Sequence, residues 1–167
     1  MAVSKKESIK KEAKSVKDNA SKKQTFQIPT FISVESTLGA ISILAMKSTT
    51  HKYIFLSDYE WLILPAIATK QFALFRSSKN EPIAFISWAS ISDEVEKRLT
   101  DKSGKLQPAD WKSGNNIYII DIISPFGPSK DLLKQLNDKQ FKGKDVKILR
   151  PKKEGGVEAK LLKEILK

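Results

Sequence analysis

Two short runs of this chain are apolar on both faces of the strand that each would form. They extend from Gln71 to Arg76 and from Ile83 to Trp88, are rich in aromatic and β-branched residues, and are separated by a polar stretch, which predicts a hairpin. A third run, from Ile117 to Ile123, is the strongest strand in the chain. Because strands that are apolar on both faces must be covered on both faces, we expect a sheet with helices on either side.

Helical segments are interspersed with these strands. Val34 and three further apolar residues at helical spacing, with Ser33 as a cap, predict a first helix that ends near Lys47. The later elements are helices from Ser57, from Ser92 to Thr100 and from Ser129 to about Gln140, a strand from Val146 to Leu149, and a last helix with Val157, Leu161 and Ile165 in register. The order αα ββ α β α β α predicts an α/β (α+β) fold with a mixed, twisted sheet flanked by helices.

The net charge of +11 is unevenly distributed along the chain. Residues 1–30 hold 8 lysines and 3 acids, residues 31–128 hold 10 bases and 10 acids, and residues 129–167 hold 12 bases and 6 acids. Because residues 1–28 also carry few large apolar side chains, we assign them to a basic, flexible tail, and residues 29–167 to a single domain. The basic edge predicts an acidic partner. One alternative is a solvated basic surface without a partner, and another is a non-enzymatic module that binds nucleic acid.

The composition excludes several classes of site. The 167 residues include no cysteine and one histidine, which excludes a thiol nucleophile, a thiolate metal site and a multi-histidine centre, so we expect neither a metal nor a cofactor. The glycine spacings of phosphate-binding loops are absent. No apolar run approaches the ~20 residues of a membrane span. Since the lysine-rich N-terminus has no apolar stretch typical of a secretory signal, we expect the cytoplasm as the location.

Asp121 places a carboxylate inside the apolar run from Ile117 to Ile123. Burial of an unpaired charge is strongly unfavourable, so this side chain needs either a partner or a function. Backbone amides or an arginine could satisfy it. His51 is the other candidate, because a carboxylate that accepts an imidazole N–H fixes the tautomer and raises the basicity of the ring. The sequence alone does not show that two residues so far apart in the chain meet.

Three further residues are candidates for supporting roles. Ser48, three residues before His51, could orient the imidazole or a substrate, although serines near helix ends are usually caps. Gly127 lies in the turn after the acid-bearing strand, and such a turn can direct backbone N–H groups into a site. Trp88 ends the second strand of the hairpin, where the alternative is a role in the core.

Several segments of the chain, taken in order, resemble one family. They are Leu38-Gly39, Ser48-Thr49-Thr50-His51, Leu64-Pro65-Ala66-Ile67, the stretch from Glu81 to Ala89 that contains Ser87-Trp88-Ala89, Asp110-Trp111-Lys112-Ser113-Gly114, and Asp121-Ile122-Ile123-Ser124-Pro125-Phe126-Gly127. With these gaps they resemble the RTX toxin-activating lysine acyltransferases, which transfer a fatty acyl group from acyl carrier protein to internal lysines of a protoxin. The resemblance runs from about Leu38 to Gly156.

The resemblance implies a fold, two partners and two catalytic residues. The family is a divergent relative of the Gcn5-type N-acetyltransferases, which agrees with the layered fold predicted above. Its catalytic histidine and aspartate match His51 and Asp121. The implied donor is acyl carrier protein and the implied acceptor is an RTX protoxin, which acylation activates; nucleic acid is not an implied partner.

The implied reaction needs a base, because a lysine amine is mostly protonated at neutral pH and must lose a proton to attack a thioester. We assign this role to His51, with Asp121 holding the ring, and regard an acyl intermediate on His51 as the less favoured route. The acyl chain also needs an apolar groove. The candidates for its lining are Phe72, Phe75, Phe85 and Ile119.

Two surfaces of the C-terminal third are candidates for protein contacts. Because acyl carrier proteins are acidic, the basic residues there are expected to dock the carrier. These residues are Lys130, Lys134, Lys147 and Arg150. The last predicted helix also suggests a homodimer, because its apolar residues exceed what a free helix should expose.

Overall fold

A computed structural model of the protein describes residues 26–27, 33–102, 105–152 and 156–166, and the centre of this part is a six-stranded sheet. The strands are β1 (Phe26–Gln27), β2 (Phe72–Arg76), β3 (Pro82–Ile91), β4 (Asn116–Ile123), β5 (Val146–Pro151) and β6 (Val157–Leu161). They lie in the sheet in chain order. Since β4 and β5 pair in parallel and the other neighbours pair antiparallel, the sheet is mixed.

Six α-helices accompany the sheet in the described ranges. They are α1 (Val34–Lys47), α2 (Tyr59–Leu62), α3 (Leu64–Ala68), α4 (Asp93–Lys102), α5 (Lys130–Gln140) and α6 (Leu162–Ile165), with 3-10 turns at Leu56–Asp58 and Pro108–Trp111. Pro65 lies in the first turn of α3, where a proline is tolerated because no intrahelical partner awaits its missing N–H. Across the described ranges, no helix is both long and apolar enough to cross a membrane.

Each face of the sheet has its own apolar core. On one face, Ile41 and Leu44 of α1 and Leu99 of α4 pack with buried residues of β2, β3 and β4. On the other face, Leu136 of α5 and Leu162 of α6 pack with a different set of residues from β2–β5. The three layers confirm the predicted α/β architecture, and they are compatible with the implied likeness to Gcn5-type acetyltransferases.

The prediction of a last helix beginning at Val157 is wrong, because the segment forms β6 and pairs with β5. Apolar residues four positions apart fit both a helix and a strand, since four is a multiple of the strand period of two. The spacing of Val157 and Leu161 therefore did not distinguish a helix from a strand. In this segment only the single turn of α6 is helical. The homodimer hypothesis loses the helix on which it rested, and the oligomeric state stays a prediction.

The predicted tail lies mostly outside the described residues. Within residues 1–28, the structure describes only Phe26 and Gln27, whose backbones pair with Phe75 and Leu74 of β2. The assignment of residues 1–28 to a flexible tail therefore stays a prediction.

A bulge in β4 decides which way Asp121 faces. Ser87 lies opposite Asp121, whereas the next residue, Trp88, lies opposite Ile119, so Ile120 is an extra residue on β4. Strict alternation would put Asp121 on the same face as Ile119, which packs against α5. The bulge instead turns Asp121 to the face covered by α1.

Candidate active site

The end of α1 brings His51 to the sheet. Ser33 caps the helix, because its hydroxyl accepts the Ser36 N–H at 3.2 Å, as its sequence position predicts. The helix ends at Lys47, and Ser48 is buried in an extended conformation. Tight turns follow, in which Ser48 C=O accepts the Lys52 N–H at 3.2 Å. His51 is thus fixed close to the end of a long, well-packed helix.

His51 and Asp121 meet although 70 positions separate them in the chain. His51 Nε2 lies 3.0 Å from Asp121 Oδ1, and the two side chains are 18% and 13% exposed. Asp121 Oδ1 also accepts the backbone N–H of Ile122 at 2.8 Å. The bulge in β4 and the turn after α1 are therefore both required for this contact.

The contact with Asp121 sets the tautomer of the imidazole. A carboxylate only accepts hydrogen bonds, so the neutral ring carries its proton on Nε2 and leaves a lone pair on Nδ1. Nδ1 lies 2.9 Å from the hydroxyls of both Ser48 and Thr50, which are 3.1 Å apart. Ser48 therefore reaches the imidazole, and Thr50, which the sequence did not single out, joins it. Nδ1 is the basic atom of the site.

The surroundings of His51 make it a stronger base. The hydrogen bond to Asp121 raises the pKa of His51 above its usual 6.5, partial burial opposes this effect, and the negative charge of Asp121 adds to the rise. The ring is therefore a base of increased strength.

An apolar groove of about 380 Å³ has Asp121 in its wall. It lies where β4 and β5 separate, since their pairing ends at Ile119 and Ile148 although both strands continue. The residues that line the groove are Trp61, Leu62, Leu99, Lys105, Leu106, Ile119, Ile120, Asp121, Ile122, Ile148 and Leu149. At its wall, Lys105 Nζ lies 4.4 Å from the centre of the Trp61 ring, a cation–π contact.

Of the four residues predicted to line an apolar groove, this groove contains one. Ile119 lines it, whereas Phe72, Phe75 and Phe85 do not and pack in the two cores. Aromatic residues of a hairpin with apolar faces pack against helices on both sides, which leaves them no free surface. Residues from α2, α4 and the unpaired ends of β4 and β5 line the groove instead.

The other supporting candidates lie apart from the imidazole. Trp88 is on the opposite face of the sheet, where its ring meets Phe141 edge-on at 5.1 Å, so the structure does not bring it into the site. Gly127 is exposed and its C=O accepts the Ser124 hydroxyl at 3.0 Å. It borders a polar cavity of about 350 Å³ that Ser48 and Thr50 also line.

The four candidate docking residues fall into two groups. Lys130 and Lys134 are exposed on α5, and Arg150 is exposed on β5. Lys147 instead faces the core that contains α1, where its ammonium pairs with Glu96, which also accepts the Tyr118 hydroxyl. The half-buried Lys147 is therefore a structural residue as well as a member of the basic edge.

One motif of the resemblance is structural. Trp111 is fully buried, Ser113 Oγ donates to Asp110 C=O at 2.8 Å and accepts the Ser92 N–H at 2.9 Å, and Gln71 Nε2 donates to Trp111 C=O. These contacts join the turn before β4 to the end of β3. The motif therefore holds β4 in place and does not contact His51.

The comparisons with known proteins agree with these features. A family model described as the RTX toxin acyltransferase family, HlyC, matches residues 31–164. A lysine-acyltransferase of Vibrio cholerae, RtxC, is 30% identical over 112 residues, which are 67% of this chain and 73% of the relative. A protein-lysine myristoyltransferase of Escherichia coli, HlyC, is 35% identical over 61% of this chain and 58% of the relative.

An uncharacterized protein of a Synechocystis species is also similar. It is 40% identical over 94 residues, which are 56% of this chain and 64% of the relative. The chain thus spans less than two thirds of two of these three relatives.

Proposed function

The chain belongs to the RTX toxin acyltransferase family, and from this membership we propose that it transfers a fatty acyl group from acyl carrier protein to internal lysines of an RTX protoxin. The family model confirms the resemblance found in the sequence. Relatives named lysine-acyltransferase or protein-lysine myristoyltransferase support this class of reaction.

His51 is the proposed general base. The amine of the substrate lysine attacks the thioester carbonyl, and Nδ1 of His51 takes the proton that the nitrogen loses as the C–N bond forms. The C–S bond then breaks, and the departing sulfur takes that proton from the imidazolium. A hydroxyl that donates to Nδ1 occupies its lone pair, so both hydroxyls must turn their protons away before Nδ1 takes the proton of the amine. Thr50 is exposed and can turn away, and the Ser48 hydroxyl can donate to Thr50 Oγ1, which lies 3.1 Å away.

Asp121 is the proposed partner of the base. Its carboxylate accepts the Nε2–H of His51, so it holds the ring with Nδ1 free and stabilises the imidazolium that forms during transfer. The same contact raises the pKa of His51 above its usual value, which strengthens the base.

The groove is the proposed site of the acyl chain. Asp121 lies in its wall, so a chain inside the groove would lie beside the carboxylate that holds the catalytic histidine. Most of the other lining side chains are aliphatic and suit a hydrocarbon. The exposed Lys130, Lys134 and Arg150 are the proposed contacts of the acidic carrier.

One observation carries this proposal: in a member of an acyltransferase family, a histidine lies 3.0 Å from an aspartate that lines an apolar groove. The test mixes the purified chain with an acyl-loaded carrier protein and a protoxin fragment, and follows the mass of the fragment and the free carrier thiol. We expect the fragment to gain the acyl mass on lysine as one thiol is released per acyl group.

A variant that removes a carboxylate away from the site serves as the control for substitutions of Asp121. Asp101 is exposed at the end of α4, so Asp101→Asn should retain the wild-type rate. Release of thiol without a mass gain on the fragment would show thioester hydrolysis and would contradict the proposed transfer. Binding of single-stranded DNA in place of the carrier would favour the nucleic-acid alternative.

A further inference from the structure

Ser87 and Asp121 stand directly opposite each other on β3 and β4, at the register pair next to the bulge. Directly opposed residues point to the same face of the sheet, with their Cβ atoms about 4.5–5.5 Å apart. A serine hydroxyl and a carboxylate oxygen can reach hydrogen-bond distance across this spacing.

Each of these two residues carries a buried polar atom without a partner. Among the described residues, Ser87 Oγ and Asp121 Oδ2 are two of three such side-chain atoms, and the third, Trp111 Nε1, belongs to the turn before β4. Ser87 is 0% exposed. A buried donor and a buried acceptor that stay unpaired are both unfavourable. Rotation of the Ser87 side chain between its staggered positions can satisfy both atoms with one bond.

We infer that the Ser87 hydroxyl donates a hydrogen bond to Asp121 Oδ2, which makes Ser87 a positioning residue for the catalytic pair. Its role in catalysis rests on the proposed function, whereas the hydrogen bond itself does not. With this bond, both oxygens of the carboxylate are held, because Oδ1 already accepts from His51 and from the Ile122 N–H. The plane of the carboxylate is then fixed, and with it the direction of the imidazole.

The single histidine of the chain allows a direct measurement. The imidazole signals in an NMR titration belong to His51 without further assignment. Within the described residues, Asp121 is the charged group in contact with the ring. The two neighbouring lysines contact aromatic rings instead, Lys47 that of Phe126 and Lys52 that of Tyr53. A change in the titration of His51 therefore reports on Asp121.

The test compares Ser87→Ala and Ser87→Cys with the wild type. The cysteine is similar in size to serine but is a much weaker donor, so it separates hydrogen bonding from packing and serves where the alanine variant does not fold. Loss of the donor leaves more negative charge on Asp121 for the contact with His51. We expect the pKa of His51 to rise by roughly half a pH unit in both variants, because hydrogen bonding to the charged form is one of the factors that set a pKa.

The same substitution in an Asp121→Asn background tests whether Ser87 acts through Asp121. We expect Ser87→Ala to leave the titration of His51 unchanged there. An unchanged or lowered pKa of His51 in the Ser87 variants, or an equal rise in the Asp121→Asn background, overturns the inference. A wild-type titration in Ser87→Cys with a shifted one in Ser87→Ala also overturns it, because packing would then be the cause.

Kinetics provide the readout that depends on the proposed function. We expect Ser87→Ala to lower kcat about three- to tenfold, because it weakens a contact that orients the base. We expect little change in KM, because the groove and the docking surface are intact. If the wild type shows no acyl transfer while the shift in the titration of His51 is present, the proposed function fails and the hydrogen bond stands.

Discussion

Two carboxylates of this molecule are equally buried, yet they have different partners. The side chains of Asp110 and Asp121 are 12% and 13% exposed. Asp110 pairs with the guanidinium of Arg98 and accepts the backbone N–H of Gln107, so its contacts lie within one short stretch of chain. Asp121 contacts His51 from a distant part of the chain and borders a groove.

The difference shows that the partner of a buried acid, more than its burial, indicates a function. An arginine stays charged at every pH that a protein tolerates, so its pair with Asp110 can only hold structure. An imidazole changes charge near neutral pH, so the pair of His51 and Asp121 can move a proton. The second distinction is that Asp121 lines the groove, whereas neither Asp110 nor Arg98 lines either of the two cavities described above.

The largest effect is expected from a matched substitution of the two acids. Asp121→Asn removes the charge that holds and stabilises the imidazole, so kcat/KM should fall about a hundredfold or more, in the range of a general-base contribution. Asp110→Asn should leave the activity per folded molecule unchanged but lower the free energy of unfolding by about 1–3 kcal/mol, since it weakens a partly buried charge-assisted contact.

Acyl transfer to a protoxin fragment and urea unfolding measure the two effects separately. The assignment of a structural role to Asp110 and a catalytic role to Asp121 is contradicted if Asp110→Asn abolishes activity in a folded protein or if Asp121→Asn keeps full activity.

Two glycines extend the comparison to the backbone. A Cβ on Gly114, four residues after Asp110, would lie 2.6 Å from both Ile91 O and Ser92 Cα, so Gly114→Ala forces the backbone apart. A Cβ on Gly127, in the turn after Asp121, meets no atom within 4 Å. We expect Gly114→Ala to lower stability by about 1–3 kcal/mol, as in other overpacked sites, and Gly127→Ala to leave it nearly unchanged. Equal unfolding midpoints in thermal denaturation would contradict this.

The smallest expected effect is a shift in the pH dependence of transfer. Neutral His51 is the active form of the base, and its pKa is raised by the hydrogen bond to Asp121, so the rate should rise with pH through a midpoint above 6.5. In Asp121→Asn the opposing effect of burial prevails, and the midpoint should fall to 6.5 or below. An unchanged midpoint in pH–rate profiles of the two proteins would show that another group is the base.

The same raised pKa has a consequence for stability. Because His51 binds its proton more tightly in the folded than in the unfolded state, the resulting stabilisation is complete below pH 6.5 and is lost as the pH rises through the folded pKa.

The sequence predicted most elements of the fold from their periodicity or their composition. The stripe of α1 is long enough to distinguish the two periods, whereas β2, β3 and β4 are marked by aromatic and β-branched residues and by the polar segments that flank them. The segment from Val157 to Leu161 is too short for that, and its pairing with β5 decided the outcome.

The candidate site was only partly predictable. The chemistry of His51 and Asp121 could be proposed from residue types, but their contact depends on the bulge at Ile120, which no sequence signal marked. The groove depends on where β4 and β5 stop pairing, which is a property of the sheet as a whole. Thr50 was missed because a hydroxyl in a polar turn carries no distinguishing pattern.

The most direct measurement is the intact mass of a protoxin coexpressed with the wild-type chain or with His51→Gln. With the wild type we expect the mass of one or more fatty acyl groups to be added on lysine. With the variant we expect a protoxin of unmodified mass, although the variant itself is folded by circular dichroism. Full acylation by His51→Gln would contradict the assignment of the imidazole as the base.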